Sequence, residues 1–356
     1  MRTVACSDTL EQATVCVRGA LPLLAAAALV ALACGGASEA GANRGAAPPA
    51  DGRLFTLLPS SYTGVRFENR LTDTRDDNVF TYRNHYNGGG VAIGDLTGDG
   101  LPEIVLGSNQ GGIRLYLNEG KFHFRDVTDA AGLRRTRPWT TGITLADVNG
   151  DGLLDIYVCH AGKVDPEDRA NELFINQGPD AHGVPTFKEM AAAYGVADRG
   201  WSTHAAFFDY DKDGSLDLFV VNNSPRPVVT MGEVNTRAVR DSFGGDKLYH
   251  NVRGHFEDVS AQAGIYGSEI GLGLGLAVSD FNRDGWPDLY VANDFFERDY
   301  LYLNNGDGTF REVLEQAMPS ISYASMGLDA ADIDNDGRPD LFVADMLPDD
   351  EYRLKT

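Results

Sequence analysis

Cysteine is scarce in this chain, and its placement matters more than its number. Cys6, Cys16 and Cys34 lie within the first 34 residues, which leaves Cys159 alone in the body of the chain. No disulfide framework follows from that distribution. Cys159 ends the apolar run Ile156-Tyr157-Val158 and so reads as a buried, inert thiol, not a nucleophile. The seven histidines are scattered, and neither a Gly-x-Ser-x-Gly elbow nor a His-Glu-x-x-His pair occurs. Basic residues are few, 30 against 52 acidic, for a net charge of −22. Nucleic acid and anionic membrane surfaces repel such a chain, so neither is expected as a partner.

The apolar run from residue 19 to 33, preceded by Arg18, has fifteen residues. It is too short to span a bilayer comfortably but fits the core of a signal peptide. It ends Ala31-Leu32-Ala33-Cys34-Gly35-Gly36, which resembles a bacterial lipobox with Cys34 as the lipidated residue. Ala31 stands where that pattern usually has Leu, and Ala31-x-Ala33 equally suits ordinary signal cleavage. Asp8 and Glu11 are foreign to a basic leader, so translation starting near Val17 is a further reading. Residues 1–34 are thus expected to be a signal peptide of lipoprotein type, and residues 35–52, rich in Gly, Ala, Ser and Pro, a flexible linker. The only membrane contact expected is through a lipid on Cys34.

What the chain has in abundance is aspartate at fixed spacing. Asp332, Asp334, Asp336 and Asp340 place four carboxylates in nine residues, with Gly337 after the third. These charges repel one another unless a cation sits among them. Hard oxygen ligands on a short turning loop suit Ca²⁺, and the carbonyl of Arg338 is placed to add another. Four more loops share the pattern: Asp95, Thr97, Asp99 and Glu103; Asp147, Asn149, Asp151 and Asp155; Asp209, Asp211, Asp213 and Asp217; Asp280, Asn282, Asp284 and Asp288. A glycine follows the third position in each: Gly100, Gly152, Gly214 and Gly285. A single such loop reads equally well as a solvated acidic turn; five do not. About five Ca²⁺ sites are expected. They would offset ten negative charges and bring the net charge near −12. Loop 1, with Thr97 and Glu103, offers the least charge and should be the weakest.

Loop starts at 95, 147, 209, 280 and 332 are 52, 62, 71 and 52 residues apart, a propeller-like period. Before the loops, apolar residues alternate, as at Val91 and Ile93, Ile143 and Leu145, Leu276 and Val278. After them come apolar runs such as Ile104-Val105-Leu106 and Leu289-Tyr290-Val291, which read as strands covered on both faces. A second hairpin follows, opening on Leu-Tyr/Phe-x-Asn at 115–118, 173–176, 248–251 and 301–304 and carrying Phe124, Phe187, Phe256 or Phe310. Two hairpins make one four-stranded blade. Residues about 160–170 and 222–246 are insertions between hairpins. The second is read as an exposed loop and, equally, as a recognition element.

EF-hand and dockerin loops need an acidic ligand near position 12, followed by a helix. Here position 12 is Leu106, Val158, Val220, Val291 or Val343, each within a strand pattern. Position-9 acids flanked by strands resemble the FG-GAP or VCBS repeats of integrin alpha-like β-propellers. The phrases Gly88-Gly89-Gly90-Val91-Ala92-Ile93-Gly94-Asp95, 118–127 and Ala344-Asp345-Met346-Leu347-Pro348 are similar to the cartilage acidic protein and UnbV-type family. The resemblance covers about residues 60–350. It implies an all-β, seven-bladed propeller holding Ca²⁺ in its hairpins, displayed outside the cytoplasm for adhesion or ligand binding. Seven blades at the mean spacing need roughly 415 residues, whereas residues 53–356 number 304, with the fifth repeat incomplete. A truncated or open propeller is therefore expected over 53–356.

The leading functional expectation is a binding module for a protein or glycan ligand, secreted or lipid-anchored at a bacterial cell envelope, with Ca²⁺ mainly structural. The alternatives are a polysaccharide-active enzyme and a ligand-free spacer. For an enzyme the chain offers only Asp294 and Glu297 as a free acidic pair, which reads better as a solvated loop. No catalytic residue is assigned.

Overall fold

The computed structural model describes residues 55–134, 137–226, 236–295 and 297–346. The signal-peptide, linker and Cys34 assignments lie outside these residues. Pro59–Thr356 form one compact unit; of the other, Arg2–Leu58, only 55–58 are described, and they hold no helix or strand.

The described chain is built from antiparallel sheets, each from consecutive strands. Sheet 1 contains β1 Val91–Gly94, β2 Glu103–Ser108, β3 Gly112–Asn118 and β4 Phe124–Asp126. Sheet 2 contains β5 Thr140–Ala146, β6 Asp155–His160, β7 Glu172–Pro179 and β8 Pro185–Glu189. Sheet 3 contains β9 Ser202–Phe208, β10 Asp217–Asn222, β11 Lys247–Val252 and β12 His255–Asp258. Sheet 4 contains β13 Gly273–Ser279, β14 Asp288–Asn293, β15 Tyr300–Asn304 and β16 Phe310–Glu312. A fifth sheet has only β17 Ser325–Ala331 and β18 Asp340–Asp345. These are four complete propeller blades and the first hairpin of a fifth, as the repeat order anticipates. The first strands pack side by side, β1 on β5, β5 on β9, β9 on β13 and β13 on β17.

Alternation along the second strand explains why the apolar runs are continuous. Ile156 and Val158 of β6 pack with Val105 and Leu115 of blade 1. Tyr157 and Cys159 point the other way, against Leu218 and Val220 of blade 3. Phe219 and Val221 then meet Leu289 and Val291 of blade 4, and Tyr290 meets Leu341 and Val343 of blade 5. Successive residues of a strand face opposite sides, so a strand covered on both sides must be apolar throughout. Cys159 is accordingly buried and unpaired, and burial raises its thiol pKa. The outer faces differ: Val91, Ile93 and Phe342 are about 60% exposed, and no described sheet covers them.

Blades 2, 3 and 4 also close at the end away from the aspartate loop, where the residue before the third strand accepts the N–H of the last residue of the second. Asn171 takes it from His160 at 2.9 Å, Asp246 from Asn222 at 2.9 Å and Asp299 from Asn293 at 2.8 Å.

Two sequence readings need correction. The segment 222–246 is not simply an exposed loop: Asn223, Ser224 and Asp246 are buried at its roots, and Asn223 and Arg240 form bridges to Leu272 and Ser268. Residues 227–235 of it lie outside the described residues. Asp294 and Glu297 are neither a free pair nor a solvated loop. Both are buried, Glu297 is ion-paired with Arg237, and Asp294 caps the N–H of Phe295 at 2.8 Å.

Residues 69–90 cross the blades at one end. Asn69 hydrogen-bonds Asn109 beside blade 1, and Tyr82 packs on Trp139 and Trp201, which precede β5 and β9. Arg83 donates to Asn223 Oδ1 and to the Ser224 carbonyl, each at 2.7 Å.

Candidate metal centres

All five aspartate loops join the first strand of a blade to the second, and position 9 is the first residue of that second strand. The first aspartate folds the loop around itself. Asp95 accepts backbone N–H groups from Gly98 at 2.7 Å and Gly100 at 2.8 Å. Asp147 takes those of Asp151 and Gly152 at 3.0 and 2.8 Å, and Asp209 those of Asp213 and Gly214 at 3.1 and 3.0 Å. Asp280 and Asp332 repeat this with Asp284 and Gly285, and with Asp336 and Gly337. The carboxylate at position 5 accepts the N–H of position 7, as Asp151 does from Leu153 at 2.9 Å.

The turn needs left-handed backbone twice. Position 6 is glycine throughout, with φ from 81° to 92°, because a Cβ is disfavoured there. Position 4 is also left-handed, and there the sequence is less regular: Gly98, Gly150, Lys212 (φ 60°), Arg283 (62°) and Asn335 (61°). The periodicity of the motif did not disclose this second strained position.

Position 9 is the anchor, buried in the first four loops and half-buried at Asp340. Asp155 accepts the N–H of Val148 at 3.0 Å and of Asn176 at 2.8 Å. Asp217 holds Tyr210 and Asn251 in the same way, and Asp288 holds Phe281 and Asn304. Glu103 reaches Leu96 and Asn118 with its longer side chain, while Asp340 caps Ile333 alone. Burial, reinforced by the neighbouring loop carboxylates, pushes Asp155, Asp217 and Asp288 up to about 6, against the pull of their N–H donors, and raises Glu103 too. At the rim burial also acts to raise Asp95, but its backbone donors outweigh that and hold its carboxyl below the usual range.

These shifts set a pH dependence. A carboxyl whose pKa is higher in the folded chain than near 4 in the unfolded one stabilises the fold below about pH 4. That contribution is lost as pH rises through about 6. Asp246 and Asp299, buried between blades, shift the same way, to about 7 and about 6. Chelator-treated protein should therefore melt at a lower temperature at pH 7 than at pH 5, and millimolar calcium should remove or reverse the difference. Identical melts at the two pH values with chelator would contradict the assignment.

The donor set fits a hard divalent cation. Oxygens of Asp209, Asp211 and Asp217, and of Asp332, Asp334 and Asp336, lie within 4.8 Å of one another. In the other three loops position 3 is Thr97, Asn149 or Asn282, still an oxygen donor but uncharged. Carboxylate and amide oxygens with flanking carbonyls are the ligands Ca²⁺ takes.

Two groups of site residues escaped sequence reasoning. The asparagine of each Leu-Tyr/Phe-x-Asn strand looked like pattern only, yet its side chain clips the loop. Asn118, Asn176, Asn251 and Asn304 donate to the carbonyl at position 8, at 2.8 to 3.2 Å. Asn176 and Asn304 also reach the previous blade, donating to the Leu96 and Tyr210 carbonyls at 2.9 and 2.8 Å. Recurrence at one place in every second hairpin was the available signal. His250, the residue before one of these asparagines, brings its Nδ1 to 3.1 Å from Asp217 and 3.5 Å from Asp211.

The sequence profile of the FG-GAP-like repeat matches residues 95–158 and 280–343, each stretch starting on the first aspartate of a loop and covering two loops. Mouse cartilage acidic protein 1 is 28% identical over 328 residues, covering 81% of this chain and 46% of that protein. Human integrin alpha-7 is 41% identical over 88 residues, covering 20% of this chain and 7% of that protein. This chain thus spans less than half the length of these curated relatives. Among solved structures, the V. cholerae biofilm matrix protein Bap1 aligns over 72% of this chain and 34% of its own, with 16% identity and a TM-score of 0.39. With five aspartate loops set in one blade design, the chain is a β-propeller that carries FG-GAP-like repeats at residues 95–158 and 280–343 and is similar in sequence to cartilage acidic protein 1 and the integrin alpha chains.

Proposed function

We propose that this chain is an extracytoplasmic binding module of adhesion type, whose blades are braced by Ca²⁺ in the five aspartate loops. The observation that carries the metal reading is the repeated geometry: in every loop one aspartate accepts the N–H groups of positions 5 and 6, a position-9 carboxylate, buried in the first four loops and half-buried at Asp340, caps position 2, and oxygen donors lie between them. The metal residues are those named in the five loops above. The resemblance to proteins of the cell surface and extracellular space supports the location and the adhesion-type role; a protein or glycan is the ligand class.

Calorimetric titration of chelator-stripped protein should show about five Ca²⁺ bound per chain, with loop 1 filling last. A stoichiometry of zero or one would overturn the reading. An enzymatic role has no support from Asp294 and Glu297, whose carboxylates are committed to Arg237 and to backbone.

A further inference from the structure

The residue five places before each loop aspartate is Gly90, Gly142, His204, Gly275 or Gly327. Four repeats have glycine, and close packing explains at least two of them. A Cβ at Gly90 would come within 2.6 Å of the Ile143 nitrogen, and one at Gly142 within 2.7 Å of the Thr203 carbonyl. Blade 3 breaks the rule with an imidazole. His204 lines a cavity of about 490 Å³ walled by the first strands of all five sheets and by residues 82–90. That volume falls within the range of small-molecule sites.

The cavity has a distinct chemistry. No Asp, Glu, Lys or Arg lines it, although the chain carries 82 charged residues. One side is apolar, formed by Leu274, Leu276, Met326 and Leu328. On the other side the hydroxyls of Thr141 and Thr203 are already engaged, with the Ser202 and Gly273 carbonyls. Three polar side chains, those of Asn84, Asn87 and His204, have no hydrogen-bond or ion-pair partner among the described residues; Asn87 is exposed, His204 half-buried and Asn84 only 6% exposed. Polar side chains with no protein partner on a cavity wall are free to bond a group that enters it.

We propose that this cavity is a binding site for a neutral monosaccharide unit at the end of a glycan, held by Asn84 and His204. An amide and a neutral imidazole each offer a donor and an acceptor, which matches a hydroxyl, itself both. A sugar ring also has a C–H face to lay on the leucines and Met326. Burial lowers the basicity of His204 and keeps it neutral at pH 7. A uronate or sialate would enter without a cationic partner and lose its hydration.

The inference rests on the binding-module reading but not on its calcium, so the two fail separately: the calcium titration above does not depend on the cavity. The test is saturation-transfer NMR on the full chain in millimolar calcium. Its probes are the methyl glycosides of glucose, galactose, mannose and N-acetylglucosamine, with methyl glucuronide and an uncharged tetrapeptide amide as comparisons. Transfer to at least one neutral glycoside and none to the glucuronide is expected, falling at least tenfold in His204→Gly and in Asn84→Leu. His204→Gly restores the residue of the other repeats, and melting temperature checks the folding of both variants. No transfer to any neutral glycoside would overturn the proposal. So would equal transfer to the glucuronide, stronger transfer to the peptide, or unchanged transfer in both folded variants.

Discussion

Excess EGTA is expected to lower the melting temperature of this protein by on the order of 15 °C. Extracellular Ca²⁺ modules bind at about 10⁻⁴ to 10⁻³ M. At ten times the dissociation constant each occupied site adds about 1.4 kcal/mol, so five independent sites add about 7 kcal/mol. That is comparable to the whole stability of many domains, and each kcal/mol moves the midpoint of a chain this size by roughly 2 °C or more. The position-9 carboxylates sharpen the expectation. Asp155, Asp217 and Asp288 are fully buried next to other carboxylates. Without a cation, their mutual repulsion and desolvation oppose folding at neutral pH. Differential scanning fluorimetry with and without EGTA measures the shift directly, and a melt indifferent to EGTA removes the structural role of the metal.

The second large effect is expected from one amide. Asn176→Ala should destabilise the protein by about 3 kcal/mol, and Asn304→Ala by a similar amount, because each loses buried hydrogen bonds at two blades. Asn176 Nδ2 joins the Leu154 carbonyl of its own blade to the Leu96 carbonyl of blade 1. Asn304 does the same for Pro287 and Tyr210. The Asn118 side chain bonds only within its own blade among the described residues, donating to the Pro102 carbonyl and accepting from the Gly120 N–H, and Asn118→Ala should cost about half as much. Denaturant melts of the three variants decide the matter. If Asn118→Ala proves as damaging as the other two, the coupling of loops across blades is not what these residues provide. The same contacts mean that the loop of one blade is part of its interface with the next: Leu96, Val148 and Tyr210, at position 2 of their loops, are buried.

The architecture was legible in the sequence to an unusual degree, and for a local reason. Carboxylates at positions 1, 5 and 9, the position-6 glycine, two-residue alternation before the loop and a continuous apolar run after it all lie within about fifteen residues of one another. Five copies make the pattern unmistakable, and the strands fall where that pattern puts them. The insertion at 222–246 was located correctly between β10 and β11, but its buried roots were not foreseen, because a lack of strand periodicity says nothing about burial.

By itself, then, the sequence determined the repeat, the order of hairpins in each blade and the place of each aspartate loop. These are consequences of spacing along one short stretch of chain. Only the tertiary structure decided which groups meet across blades. Arg83 and Asn223 are 140 residues apart, and Asn304 and the Tyr210 carbonyl are 94 apart. It placed Glu297 on Arg237, His250 beside an aspartate loop, and His204 with Asn84 on a shared cavity wall. Periodicity fixes which way a side chain leaves its strand. Its partner is set by how one sheet packs on the next, and no local spacing carries that information.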